Sequence, residues 1–306
     1  MTRPPILLIV NPTAGGKPGS GPGLADDPAL LTADALRGAL QRRGLEVSHR
    51  ELAEGDDLAE LARHAADTGH DVVVAGGDGT VSAAAAALVG HESATLGILA
   101  MGSFNNTARG FGVPVTLEAA LDVIGRGDAA RFDAGWVVRD GEDGGRPFFE
   151  AAGVGVDALG FLAVELAERR GWWRAFRGLL RGMRRRRTPM RITIDGTAYR
   201  TGSPAVTVSN GPYHGMGFAL PGHADPTDGL FDIDVFRGMT RFDVMRYFLA
   251  VARRRPRKEP RISSYQGRRV TIEGTRRALP AHADGTSIGF TPVSFEVRPQ
   301  ALRIFR

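Results

Sequence analysis

Five consecutive residues carry the plainest chemical signal in the chain: Gly76, Gly77, Asp78, Gly79 and Thr80 follow a valine-rich run and open a helix. Glycines let a backbone approach a phosphate closely. The N–H groups freed at a helix start bind anions, and a carboxylate beside them can hold a divalent cation. The plain alternative is a tight turn with Asp78 as the helix cap. A second loop, Gly102-Ser103-Phe104-Asn105-Asn106-Thr107-Ala108-Arg109, leaves the next strand in the same sense. Open α/β sheets gather ligands at the carboxyl ends of their strands, so both loops are expected on one edge. Spelling excludes the other phosphate motifs. Lys17 follows Gly15 and Gly16 but precedes Pro18, so there is no Walker-type loop, and no Gly-x-Gly-x-x-Gly follows a strand.

Alternating elements must place these loops. Strands are expected over Ile6–Val10, Leu45–Arg50, Asp71–Ala75 and Thr95–Ala100, with helices over Leu30–Arg43, Asp57–Thr68 and Thr80–Val89. Strands separated by helices imply right-handed parallel crossovers. The Gly- and Pro-dense stretch Asn11–Asp27 reads as a phosphate-facing loop. After Asp133 the pattern becomes mainly antiparallel β, with runs at Met190–Ile194, Ala205–Ser209, Phe231–Phe236, Arg269–Glu273 and Ser294–Arg298. Helical insertions are expected at Asp157–Arg187 and Arg241–Arg255. The expectation is an α/β chain with a first domain over 1–134 and a β-rich second over 135–299. The strand Ala301–Phe305 is expected to return to the first, and the cleft between the halves is the expected site.

A length of 306 residues suits two domains. With 42% hydrophobic and 24% charged residues, a disordered chain is excluded. No apolar run approaches the roughly 18 residues of a spanning helix. The run Ile6–Val10 is too short for the apolar region of a signal peptide, so a cytoplasmic location is expected. The absence of cysteine removes disulfides, thiolate metal sites and cysteine nucleophiles. The net charge of +5 is carried by arginine, Lys17 and Lys258 being the only lysines among 39 basic residues. Arginine suits phosphate-bearing partners.

These motifs together resemble the diacylglycerol kinase catalytic-domain family, the soluble bacterial lipid kinases related to sphingosine and ceramide kinases. Six blocks in order carry the resemblance: Asn11 to Gly16, Gly76 to Thr80, Leu96 to Arg109, Phe148 to Asp157, Asp225 to Asp228, and Asp284-Gly285. The resemblance implies an N-terminal NAD kinase-like nucleotide-binding α/β domain and a C-terminal β-sandwich-like domain for the lipid substrate. It implies ATP and Mg²⁺ as cofactors, with nucleotide contacts from Asn11, Gly15, Gly16, Gly76, Gly77, Asp78, Gly79, Thr80, Gly102, Ser103, Asn105, Asn106 and Arg109. By the same resemblance Asp78 and Asp133, with Asn106, hold Mg²⁺ through water, and Asp284 is the base that orients or deprotonates a lipid hydroxyl. Asp225, Asp228 and the Leu230 carbonyl would hold a structural divalent ion. An Asp/Gly turn is the cheaper account of Asp225–Leu230, whereas for Asp284-Gly285 and Asp133 a hairpin turn and a strand end are the plainer alternatives to the functional reading, which is preferred.

Three positions depart from the family pattern. Asn106 stands where most relatives have Asp, Thr286 where they have Glu, and Ser82-Ala83 replace an Asn-Glu pair. They keep open a nucleotide- or lipid-binding protein without turnover, beside the rival of an NAD kinase. Within 171–187, Trp172, Phe176, Leu179, Leu180 and Met183 share one helical face opposite five arginines, a pattern that suits either a lipid interface or a packed helix. The helix ending at Arg253 to Lys258 is explained by cations at a helix C-terminus. A lipid substrate, a membrane surface and a homodimer are the expected partners. No nucleic-acid motif accompanies the arginines.

Overall fold

A central parallel strand is buried on both faces and so must be apolar throughout. In the computed structural model the strand 71–76 is buried at every position and apolar from Val72 on, Asp71 at its start accepting the Thr95 N–H at 2.7 Å. The structure describes residues 3–14, 32–139, 144–156, 188–214, 218–219, 224–253 and 259–306. Gly15, Gly16, Asp157 and the expected helix over 157–187 lie outside the described residues, as does the basic run 254–258.

The chain divides into two units, Met1–Ala134 with Pro299–Arg306, and Gly135–Arg298. The first alternates β1 (Ile6–Val10), α1 (Ala33–Gln41), β2 (Val47–Glu51), α2 (Leu58–Asp67), β3 (Asp71–Gly76), α3 (Asp78–Leu88) and β4 (Leu96–Ala100). Two further helices, α4 (Asn106–Gly110) and α5 (Leu117–Arg126), precede β5 (Ala129–Val138). The sheet runs β2-β1-β3-β4, all parallel, and Ile304 pairs in parallel with Leu96 beyond β4. Helix starts follow their caps: Thr32 accepts from the Ala35 N–H, and Asp57 accepts from those of Ala59 and Glu60. One core joins β1 and β3 to α1 and α5 through Leu8, Val73, Leu36, Leu40, Leu121 and Ile124.

The second unit is antiparallel. It contains β6 (Arg146–Phe148), β7 (Ala151–Gly155), β8 (Pro189–Ile194), β9 (Thr197–Gly202), β10 (Ala205–Ser209), β11 (Tyr213–His214), β12 (Phe218–Ala219) and β13 (Phe231–Phe236). After α6 (Arg241–Ala252) follow β14 (Ile262–Gly267), β15 (Arg269–Gly274), β16 (Pro280–Ala283), β17 (Thr286–Phe290) and β18 (Val293–Phe305). One sheet runs β14-β13-β10-β7-β16-β17, while β8 lies between β15 and β9 and β15 pairs with β18. Alternation in Phe231-Asp232-Ile233-Asp234-Val235 turns one face inward. Val206, Val208, Ile233 and Val235 of the first sheet share one core with Ile192, Ile272 and Phe295 of the other, which makes a sandwich. Phe148 centres that core, stacked on Phe231 at 5.6 Å and edge-on to Phe295 at 5.9 Å. The expected β-sandwich-like architecture is therefore present.

Two sequence expectations differ from the structure. The runs 294–298 and 301–305 are one strand, β18, interrupted only by Pro299 and by Gln300 at φ 52°. The helix expected to reach residue 255 is described as far as Ala252.

Candidate functional site

The glycine loops are held against each other by their backbones. β3 and β4 stay paired to Gly76 opposite Ala100, and the Met101 N–H donates to the Gly76 carbonyl at 2.8 Å. A Cβ on Gly102 would lie 2.8 Å from the Gly77 Cα, and one on Gly76 2.5 Å from the Thr80 Cβ. Both glycines are therefore demanded by packing. Gly79 is different: a Cβ there meets no heavy atom within 4 Å, and its φ lies outside the left-handed region. Glycine in a helix costs about 1 kcal/mol relative to alanine. Neither contact nor conformation recovers that cost at Gly79, and the space above it is open.

That space is a cavity of about 450 Å³, lined among the described residues by Asn11, Thr13, Ala14, Gly77, Gly79 and Thr80. Asn11 ties its two walls together. Its Nδ2 donates to the Thr80 Oγ1 at 2.9 Å, and its Oδ1 accepts from the Thr13 N–H at 3.0 Å and Oγ1 at 2.8 Å. The start of α3 opens into this cavity, where backbone N–H groups and the helix dipole favour an anion. The second loop is pinned internally, where Asn105, at φ 53°, accepts the Gly102 N–H at 2.8 Å, and it also braces the first. Asp78 Oδ1 accepts the Thr107 N–H at 3.1 Å, and Ser82 contacts Thr107 at 3.2 Å. No described residue donates to the second Asp78 oxygen, which is open to a water-mediated cation.

Of the expected nucleotide residues, Asn11, Gly77, Gly79 and Thr80 line the cavity, while Gly76, Gly102, Asn105 and Asp78 brace it. Exposed Ser103, buried Asn106 and half-buried Arg109 are not among its lining. Thr13 and Ala14 line it without having been singled out; their only signal is membership of the Asn11 loop.

Asp133 lies within β5, 1% exposed, where its Oδ1 accepts the Gln300 N–H at 2.8 Å. It thereby satisfies the backbone at a positive-φ residue. Its neighbour Phe132 packs edge-on against Phe111 at 5.0 Å, the residue that follows α4.

In the second unit Asp284 and Gly285, at φ 44° and 71°, turn β16 into β17. The carboxylate does more than turn the chain. Its oxygens accept the N–H groups of Phe149 at 2.7 Å, Glu150 at 2.9 Å and Ala151 at 3.2 Å. Burial pushes its pKa up to about 6, against the lowering effect of those three donors and of the nearby His282. A carboxyl tuned this way is more basic than an ordinary aspartate and is held in one orientation. Asp225 Oδ1 accepts from the Thr227 N–H and hydroxyl, and Asp228 Oδ1 from the Leu230 N–H, so both acids close local turns. Among the described residues no three Asp, Glu or His side chains converge as a metal cage.

A glycine-edged parallel sheet is thus followed by a β sandwich, and each part matches a family of known proteins. The first part matches the diacylglycerol kinase catalytic domain over residues 5–137, and the second the YegS C-terminal NAD kinase beta sandwich-like domain over 153–306. The chain belongs to this diacylglycerol kinase and YegS-like family. It is 29% identical to a "Diacylglycerol kinase" of Mycobacterium tuberculosis (strain H37Rv) over 288 residues, covering 91% of this chain and 90% of the relative. It is 30% identical to a "Probable lipid kinase YegS" of Escherichia fergusonii over 247 residues, covering 77% and 75%. A solved structure of a diacylglycerol kinase from Bacillus anthracis str. Sterne shares the fold, with a TM-score of 0.71 at 20% identity over 98% of this chain and 96% of that one.

Proposed function

We propose that this protein is an ATP- and Mg²⁺-dependent lipid kinase that moves the γ-phosphate of ATP to the hydroxyl of diacylglycerol or a related lipid. The observation that carries the reading is Gly79: a glycine at a helix start, lining a cavity, with no internal reason to lack a side chain. In this reading residues 1–134 with 299–306 bind the nucleotide and 135–298 serve the lipid.

Phosphoryl transfer asks mainly for positioning and charge neutralisation. The α3 N–H groups hold phosphate oxygens, and Asn11 keeps the two walls of the cradle in place. Magnesium, when bound, neutralises charge on the phosphates; Asp78 would hold it through water, as its donor set fits a hydrated ion better than a cage. Asp284 orients the lipid hydroxyl and takes its proton as the new O–P bond forms and ADP leaves with the electrons of the broken one. Its raised pKa suits a base that must be both ionised and proton-hungry near neutrality.

The test is transfer of labelled γ-phosphate to diacylglycerol, to a panel of other hydroxyl lipids and to NAD, with and without chelator. Transfer to a lipid that needs the metal is the expected outcome. ATP binding by calorimetry with no transfer to any lipid refutes the kinase and favours the binding-only reading suggested by Asn106 and Thr286.

A further inference from the structure

Helix α6 is stitched to the sandwich by one face and presents the other outward. A capping box formed by Thr240 and Asp243 starts it. Val244, Tyr247 and Phe248 pack around Phe236, with Phe236 to Phe248 centroids 5.6 Å apart. The opposite face is unusual for a surface helix. Phe242, Met245 and Leu249 are 61%, 48% and 47% exposed. At about 100° per residue, these three fall with exposed Arg246 and Arg253 inside an arc of about 100°. No acidic side chain shares that arc. Asp243 lies to its side, engaged with the Thr240 N–H and hydroxyl and with Arg261 and within the influence of Arg246, and Glu259 is paired with Arg261 beside it.

Three large apolar groups with two guanidiniums, the neighbouring Asp243 and Glu259 being already engaged by Arg261, are complementary to a surface that is greasy beneath and negative on top. Guanidiniums on long stems can reach up to phosphates while neighbouring rings and branched chains enter the acyl boundary. The whole chain carries a net charge of +5. We infer that the outward face of α6 docks this protein on an anionic lipid bilayer. The inference rests on the lipid kinase reading, which places the substrate in a bilayer, and names the surface that meets it.

The experiment is cosedimentation of the full chain with vesicles of phosphatidylcholine alone or mixed with phosphatidylglycerol, beside phosphoryl transfer to a short-chain diacylglycerol dispersed as monomers. The wild type is expected to bind the mixed vesicles more tightly. The double variant F242S/L249S should lose about 30-fold in vesicle affinity by withdrawing apolar area. R246Q/R253Q should lose a similar factor of about 30 on anionic vesicles only, and high salt should erase the difference. Both variants should melt like the wild type and phosphorylate the monomeric substrate unchanged. Unaltered vesicle binding by F242S/L249S overturns the inference. So does a wild-type dimer that this variant dissolves while neither binds vesicles, because a second copy then covers the face. Vesicle binding that depends on α6 without transfer to any substrate supports the surface and removes the kinase reading instead.

Discussion

Replacing Gly79 with alanine separates the fold from the ligand. The added methyl meets nothing within 4 Å, so the native state accepts it without strain. Alanine also narrows the unfolded ensemble and suits a helix, which together stabilise by about 0.5–1 kcal/mol. For a unit of this size that raises the melting temperature by about 1–3 °C. The same methyl tilts toward the helix N-terminus, as every Cβ on a helix does, and so enters the space an anion would fill. Denying one charge-assisted hydrogen bond, worth about 1.5–3 kcal/mol, weakens ATP by about 10- to 100-fold. Thermal melting and calorimetry on one sample should therefore move in opposite directions. Gly102→Ala is the control: its Cβ would sit 2.8 Å from the Gly77 Cα, and it should cost about 1–3 kcal/mol of stability. A Gly79→Ala protein that binds ATP as the wild type does, or that melts below it, refutes the reasoning.

Asp284 gives a pH dependence with a definite sign. With its carboxyl pushed up to about 6, transfer should rise with pH through that value as the base ionises, read from kcat/KM. The folded chain also holds this proton more tightly than the unfolded chain. Its contribution to stability is therefore fullest at low pH and falls as pH rises from about 4 to about 6, which urea titrations at several pH values will show. Asp284→Asn should keep ATP binding and abolish transfer, yet melt lower by about 1–3 kcal/mol because its amide presents a donor to backbone donors. Asp133→Ala should destabilise by a similar amount, about 1–3 kcal/mol in chemical denaturation, by stripping the Gln300 N–H of its acceptor.

The strands β1, β3 and β4 are legible in the sequence because parallel strands buried on both faces must be apolar without alternation. The glycine loops are legible for a similar reason, since few contexts demand so many glycines at a strand end. What a single letter cannot carry is which glycine serves packing and which serves access. Gly102 and Gly79 look alike in the sequence and differ in space. Helix α4 escapes notice because five residues show no period and its cap, Asn105, is left-handed. Helix α5 does carry a pattern, with Leu117, Ala120, Leu121 and Ile124 on one face and Gly127 at φ 80° to end it, yet it is absent from the expected elements. Pro299 splits β18 in the sequence, because nothing nearby announces that Asp133, 167 residues away, supports the backbone at Gln300. The three donors to Asp284 come from residues 133 to 135 positions away and are equally invisible to local reading.

The first unit is discontinuous, completed by residues 299–306, whose Leu302 and Ile304 are buried. Ile304 pairs with Leu96 and the Arg306 N–H donates to the Asp128 carbonyl, so the flank of β4 stays open until this segment arrives. A ribosome delivers that segment more than 160 residues after β5. The sheet that carries the glycine loops is therefore completed late in biosynthesis, and a transcript cut short before residue 299 would yield a chain with every glycine of the motif and an unfinished sheet beneath them.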